Sequence, residues 1–135
     1  MKVFFVLSVI VIAGLYWWYL TSRAGRPLEP SRQFARVEYV IDGDTLILRG
    51  RQQRLRLWGV DAPEKGEAGA KTATAALKRY APKGRKVSYI QMDVDRYGRI
   101  VARVFYGSKE INRQMIESGA ASEYCRYSRG FYGHC

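Results

Sequence analysis

Two neighbouring segments constrain this chain more than any other feature. In the first, Val40-Ile-Asp-Gly-Asp-Thr-Leu-Ile-Leu48, the polar triplet Asp42-Gly43-Asp44 lies between apolar runs. The second, Arg54-Leu-Arg-Leu-Trp-Gly-Val-Asp-Ala-Pro-Glu64, follows after a short turn. Asp-Gly between β-forming residues marks a turn, so the chain enters and leaves buried structure around a polar corner. Strands folded this way bring Asp44, Asp61 and Glu64 towards Arg56. Carboxylates gathered without a counter-charge repel one another. A divalent cation between Asp44 and Asp61, with Arg56 facing an anionic substrate, would relieve that repulsion. Each residue taken alone has a plainer reading: Asp42-Gly43-Asp44 as a hairpin turn, Arg56 as a solvated strand arginine, Glu64 as a helix-start acid. An EF-hand is excluded, because its loop would need a third acid or amide at Leu46.

The rest of the chain supplies a small barrel. Phe34–Ile41, Thr45–Leu48 and Arg54–Val60 read as strands, with Gly50–Gln53 as the turn between the second and third. In the third strand Leu55 and Leu57 face one side, and Arg54, Arg56 and Trp58 the other. Pro63 ends it. Glu67–Ala81 is rich in Ala, Lys and Leu and reads as a helix whose buried stripe is Ala70, Ala73, Leu77 and Tyr80. Lys86–Gln91 and Ile100–Tyr106 are two further strands around the Asp93–Arg99 turn. Ile111–Ser118 is a second helix, with Ile111, Met115 and Ile116 inward and Asn112, Arg113 and Glu117 outward; Gly119 stops it. Five short strands interrupted by a helix, with another after them, fit a five-stranded Greek-key β-barrel of the OB type with flanking helices, one among the small α+β folds that the pattern allows.

Length and charge set the wider frame. At 135 residues the chain holds one domain, 34–135, behind an apolar segment at 1–21 and a Gly/Pro/Arg linker at 22–33. Val3–Leu20 carries no charge and just reaches spanning length, with Tyr16-Trp17-Trp18-Tyr19 as an interfacial aromatic belt. A retained transmembrane anchor through residues 3–20 and a cleaved signal both fit. A net charge of +11 suits a polyanion such as nucleic acid, with solubility or a membrane-surface preference as the plain alternative. Cys125 and Cys135, the only cysteines, read as a disulfide or as two free thiols. Zinc does not fit, since His134 is the sole histidine.

A third segment, Asp95-Arg96-Tyr97-Gly98-Arg99, completes an ordered set. Together the three resemble staphylococcal nuclease and the wider thermonuclease-like family, whose pattern is D-G-D-T, then R-x-x-x-x-D-x-P-E, then D-x-Y-G-R. The resemblance runs from about Phe34 to Tyr127. It implies an OB barrel and a Ca2+-dependent phosphodiesterase that hydrolyses DNA and RNA, single-stranded or duplex, with little sequence selectivity and leaves 3′-phosphates. On the family's pattern Asp44, Asp61 and the backbone carbonyl of Ala62 hold calcium, with Asp42 and Thr45 supporting them. Glu64 holds or deprotonates the attacking water, and Arg56 and Arg99 clamp the phosphate. Tyr97, Tyr124 and Tyr127 can stack on bases. Tyr127 matches a family tyrosine, whereas the second such position holds Cys125, with Tyr124 beside it. A nuclease of low selectivity endangers its own genome, so the domain is expected outside the cytoplasm, as a monomer. A non-catalytic OB module that binds nucleic acid at the envelope is the competing reading.

Overall fold

The computed structural model describes residues 12–19 and 31–135. The chain divides into two units, Met1–Ser31 and Arg32–Cys135. In the first, residues 12–19 are helical and exposed. Most of the apolar run Val3–Leu20 and all of the linker up to residue 30 lie outside the described residues. Among the described residues no helix is long and apolar enough to cross a membrane.

The second unit runs β1 (Gln33–Val40), β2 (Thr45–Leu48), β3 (Arg54–Leu57), β4 (Val60–Asp61), α1 (Ala70–Tyr80), β5 (Lys86–Val94), β6 (Ile100–Tyr106), β7 (Lys109–Glu110), α2 (Ile111–Glu117), β8 (Ser122–Glu123) and α3 (Cys125–Ser128). Strand order β3-β2-β1-β5-β6-β7, closed by parallel pairing of β3 with β6, gives a five-stranded barrel with β7 appended. Period-2 alternation fills it. Leu46, Leu48, Leu55, Leu57, Val37, Val87, Tyr89 and Val104 are essentially fully buried, each contributing roughly 1.5–3 kcal/mol on transfer from water. Tyr89 satisfies its hydroxyl by donating to Gln33 Oε1 at 2.7 Å. Leu55 lies beside Ile100 and Arg56 beside Val101, so the β3–β6 seam separates an apolar interior from a polar exterior.

Helix α1 starts three residues later than the sequence pattern suggests, at Ala70, behind Gly69 in the left-handed region (φ 87°). Ala73, Ala76 and Leu77 are its buried face, while Ala70 and Tyr80 are only half-buried. The buried methyl side chains allow a close approach: a Cβ on Gly43 would sit 2.6 Å from Ala73 Cβ and 2.7 Å from Ala62 Cβ. Glycine at 43 thus lets the aspartate turn press against α1.

Three sequence expectations need correction. Arg54–Val60 is not one strand. Gly59 adopts φ 67°, the chain turns, and Val60–Asp61 leaves the barrel to pair with Ser122–Glu123. Lys86–Gln91 extends to Val94, because the β5 bulge between Gln91 and Asp93 lets pairing with β6 continue. Asn112 points inward rather than outward. It is fully buried, accepting from Val104 N and donating to the carbonyls of Trp58 and Ala102. It ties the end of β3 to β6, beside the backbone bond from Trp58 N to Ala102 O, a role that helix periodicity does not display.

The tail after β8 is clasped rather than loose. Glu123, buried, accepts from Ser128 Oγ, Tyr132 N (3.0 Å) and His134 N (2.7 Å). Burial pushes its carboxyl pKa up, but these three donors outweigh it and hold the pKa below the usual range. Cys125 and Cys135 form a disulfide that closes the same segment.

Candidate active site

The aspartate turn and the start of β4 meet on the outer wall of the barrel. Asp42 Oδ1 accepts from Asp44 N at 3.1 Å, folding the turn on itself. Asp44 is thereby buried. Its Oδ1 accepts from Thr45 Oγ1 at 2.9 Å, and its Oδ2 from Arg56 Nη1 at 2.8 Å and Ala62 N at 3.4 Å. Arg56 also donates through Nη2 to Val60 O at 3.3 Å and lies 3.9 Å from Asp61 Oδ1. Its guanidinium therefore ties the turn to β4, with Asp44 on the buried side and Asp61, 58% exposed, on the open side.

Charge in this cluster is not balanced. Burial pushes the Asp44 carboxyl above the usual carboxylate range, although the Arg56 guanidinium, the Thr45 hydroxyl and the Ala62 N–H pull the other way and Asp42 adds to the rise. A buried carboxylate that one guanidinium does not fully offset and an open carboxylate on the same guanidinium are hard-oxygen donors. These residues fit a divalent cation in donor chemistry. Among the described residues no three of His, Cys, Asp and Glu gather as a metal cluster.

Glu64 stands at the exposed rim beyond Pro63. Its backbone N–H donates to Glu67 Oε2 at 2.7 Å, and its own carboxylate has no hydrogen-bond or ion-pair partner among the described residues. Arg99 immediately precedes β6, at the end of the Asp95–Arg99 turn. The β3–β6 register makes it a diagonal neighbour of Arg56 on the outer face, about 8 Å away by strand geometry. Asp95 holds Arg99, accepting from its Nε at 2.6 Å and from the backbone N–H groups of Tyr97 and Arg99. Desolvation raises the Asp95 pKa, but these bonds and the guanidinium charge bring it below the usual range. The orienting role of Asp95 was within the D-x-Y-G-R motif yet not separately legible, because it depends on the turn that Gly98 (φ 76°) closes.

The tyrosines fall into two groups. Tyr97, 68% exposed, has the guanidinium groups of Arg96 and Arg99 4.9 and 5.4 Å from its ring centre. Tyr124 and Tyr127 pack edge to face, 4.8 Å apart, and Tyr124 N donates to Gly59 O. Pairing of Asp61 with Ser122 fixes this second group to the strand carrying Asp61. Sequence reading missed β8 because two residues give no period.

A protein-family model described as staphylococcal nuclease homologue matches residues 54–134, and the chain belongs to that family. The match begins downstream of the Asp42–Thr45 turn. A thermonuclease of Staphylococcus hyicus is 35% identical over 100 residues, covering 67% of this chain and 59% of that protein. An uncharacterized endonuclease of Escherichia coli is 35% identical over 96 residues, covering 69% and 62%. Protein ParB of Escherichia coli is 31% identical over 134 residues, covering 91% and 68%. The chain thus spans about three fifths of the length of the first two relatives.

Proposed function

We propose that the chain is a Ca2+-dependent phosphodiesterase that cleaves DNA and RNA with little sequence selectivity. The observation that carries this reading is the Asp44–Arg56–Asp61 cluster, in which a buried, under-compensated carboxylate shares one guanidinium with an exposed one. Asp44, Asp61 and the Ala62 carbonyl would hold calcium, which when bound supplies positive charge to the phosphate and its attacking water. Arg56 and Arg99 offer planar donor forks to the phosphate oxygens, where negative charge accumulates as the nucleophile adds. Lysine at either position would present only a point charge. Glu64, exposed and uncommitted, accepts the proton of the water aligned for attack. Tyr97, Tyr124 and Tyr127 present rings for base stacking without reading sequence. Membership of a family whose relatives include named nucleases supports the same reading.

The domain's place is proposed to be outside the cytoplasm, tethered through residues 3–20 or released from them. The Cys125–Cys135 disulfide supports an oxidising compartment. The test of the catalytic assignment is cleavage of DNA by the full chain carrying Glu64→Gln or Arg99→Ala. Each is expected to lose about 10²-fold or more in kcat while melting like the parent. Full activity in both variants would remove the assignment.

A further inference from the structure

Outside the cluster just described, the outer face of β1, β5 and β6 combines an exposed ring with cations that have no carboxylate partner among the described residues. Register places Phe34 opposite Ser88 and Ser88 opposite Phe105, with Arg36 opposite Lys86. The alternate residues Val37, Val87, Tyr89 and Val104 fill the core, so this row lies on the outer side, where Phe34, Arg36 and Lys86 are exposed and Ser88 and Phe105 between them are covered. Phe34 is 65% exposed, with Lys86 Nζ 5.5 Å from its ring centre. Arg32 lies over the Phe105 ring at 4.3 Å, and Arg36 donates to Gly84 O. None of Arg32, Arg36 and Lys86 has a carboxylate partner among the described residues. The acids at the borders are already taken: Glu110 by Arg103, Glu38 by Arg49 and Lys83. Arg36 and Lys86 are like charges directly across a strand pair, an arrangement that costs stability.

This face is continuous with the candidate active site. Val101 is beside Arg56, and Arg103 and Phe105 follow on the same outer side of β6. Four residues along β6 and two strands across give a path of about 16 Å from Val101 to Phe34. That is the length of a few nucleotides.

We propose that this face is a docking track for the single-stranded stretch flanking the cleaved bond. Phe34 stacks on a base while Arg32, Arg36 and Lys86 hold the phosphates on either side. The track's register with the scissile bond rests on the nuclease reading above. A lipid surface fits less well, because interfacial binding scales with apolar area and Phe34 is the one large apolar side chain exposed on this row.

The experiment is equilibrium binding of the full chain, in chelator, to a labelled dinucleotide and to a single strand of about 16 nucleotides. Phe34→Ala, and separately Arg36→Gln with Lys86→Gln, should weaken the long strand about tenfold and abolish most of its advantage over the dinucleotide. The double variant should also flatten the slope of log K against log salt by about 1.4. A charge-matched control on α1, Lys71→Gln with Lys78→Gln, should keep that advantage. Unchanged long-strand binding, or equal loss in the control, would overturn the track. So would loss of binding to anionic phosphatidylglycerol vesicles with nucleic-acid binding intact. Cleavage by the parent in calcium separates the two readings. A parent that cuts, with variants that bind like it, sinks the track alone. Track-dependent binding without cutting sinks the nuclease reading alone.

Discussion

Asp44 is where the demands of folding and chemistry diverge. Its raised pKa means that the ionised carboxylate is worse accommodated in the fold than in the unfolded chain, so in the calcium-free protein it lowers stability at neutral pH. Asp44→Asn is therefore expected to raise the melting temperature of the calcium-free chain and to abolish both cleavage and the rise in melting temperature that calcium is expected to give the parent. A lower melting temperature without calcium would contradict this account. Asp95 has the opposite sign. Its depressed pKa contributes stability that is present above the unfolded value near 3.8 and is lost as pH falls through the lower folded value. Asp95→Asn should flatten the acid side of the stability curve below that pH, measured by thermal melts across pH. It should also raise KM, since Arg99 is no longer held at its Nε. At this scale the sequence marked the candidate residues, through three ordered motifs. It could not show that Asp44 would be buried or that Asp95 would grip Arg99, because burial and turn closure arise only once α1 and β6 are in place.

Among the elements, α1 and the tail clasp hold the two halves of the site. Gly43→Ala would force a methyl group against Ala73 and Ala62, a conflict costing about 1–3 kcal/mol and displacing Asp44. Activity should fall more than stability does, and Ala73→Gly in the same chain should recover part of it. No recovery, in assays of cleavage and melting on both variants, would mean that the seam does not position the turn. The clasp acts through β8, which pairs with the strand bearing Asp61. Removing the Cys125–Cys135 cross-link by Cys→Ser at both positions should cost about 2–3 kcal/mol, read from denaturant melts. The barrel strands were legible because Leu55 and Leu57 alternate with Arg54 and Arg56, and because Leu46-Ile47-Leu48 is a short apolar run bounded by turn residues. The two-residue strands β4, β7 and β8 were not, since pairing partners far along the chain define them. Asn112 reads as a surface residue by period alone, and only the carbonyls of Trp58 and Ala102 reveal why it faces inward.

At the scale of the domain, a small barrel presents a carboxylate cluster and two arginines beside the β3–β6 seam, with Tyr97 against Arg99. The family match covers the part of this surface contributed by β3, β4 and β6, and the +11 charge suits a polyanion. The central claim is that Asp44, Asp61 and the Ala62 carbonyl make this surface a calcium-dependent cutter of nucleic acid. The most direct measurement is digestion of single-stranded and duplex DNA by the full chain, kept non-reduced, in millimolar-range calcium and then in excess chelator. The account predicts cleavage that stops on chelation and is nearly lost in Glu64→Gln. Binding without cleavage by the folded chain, with or without calcium, would contradict it.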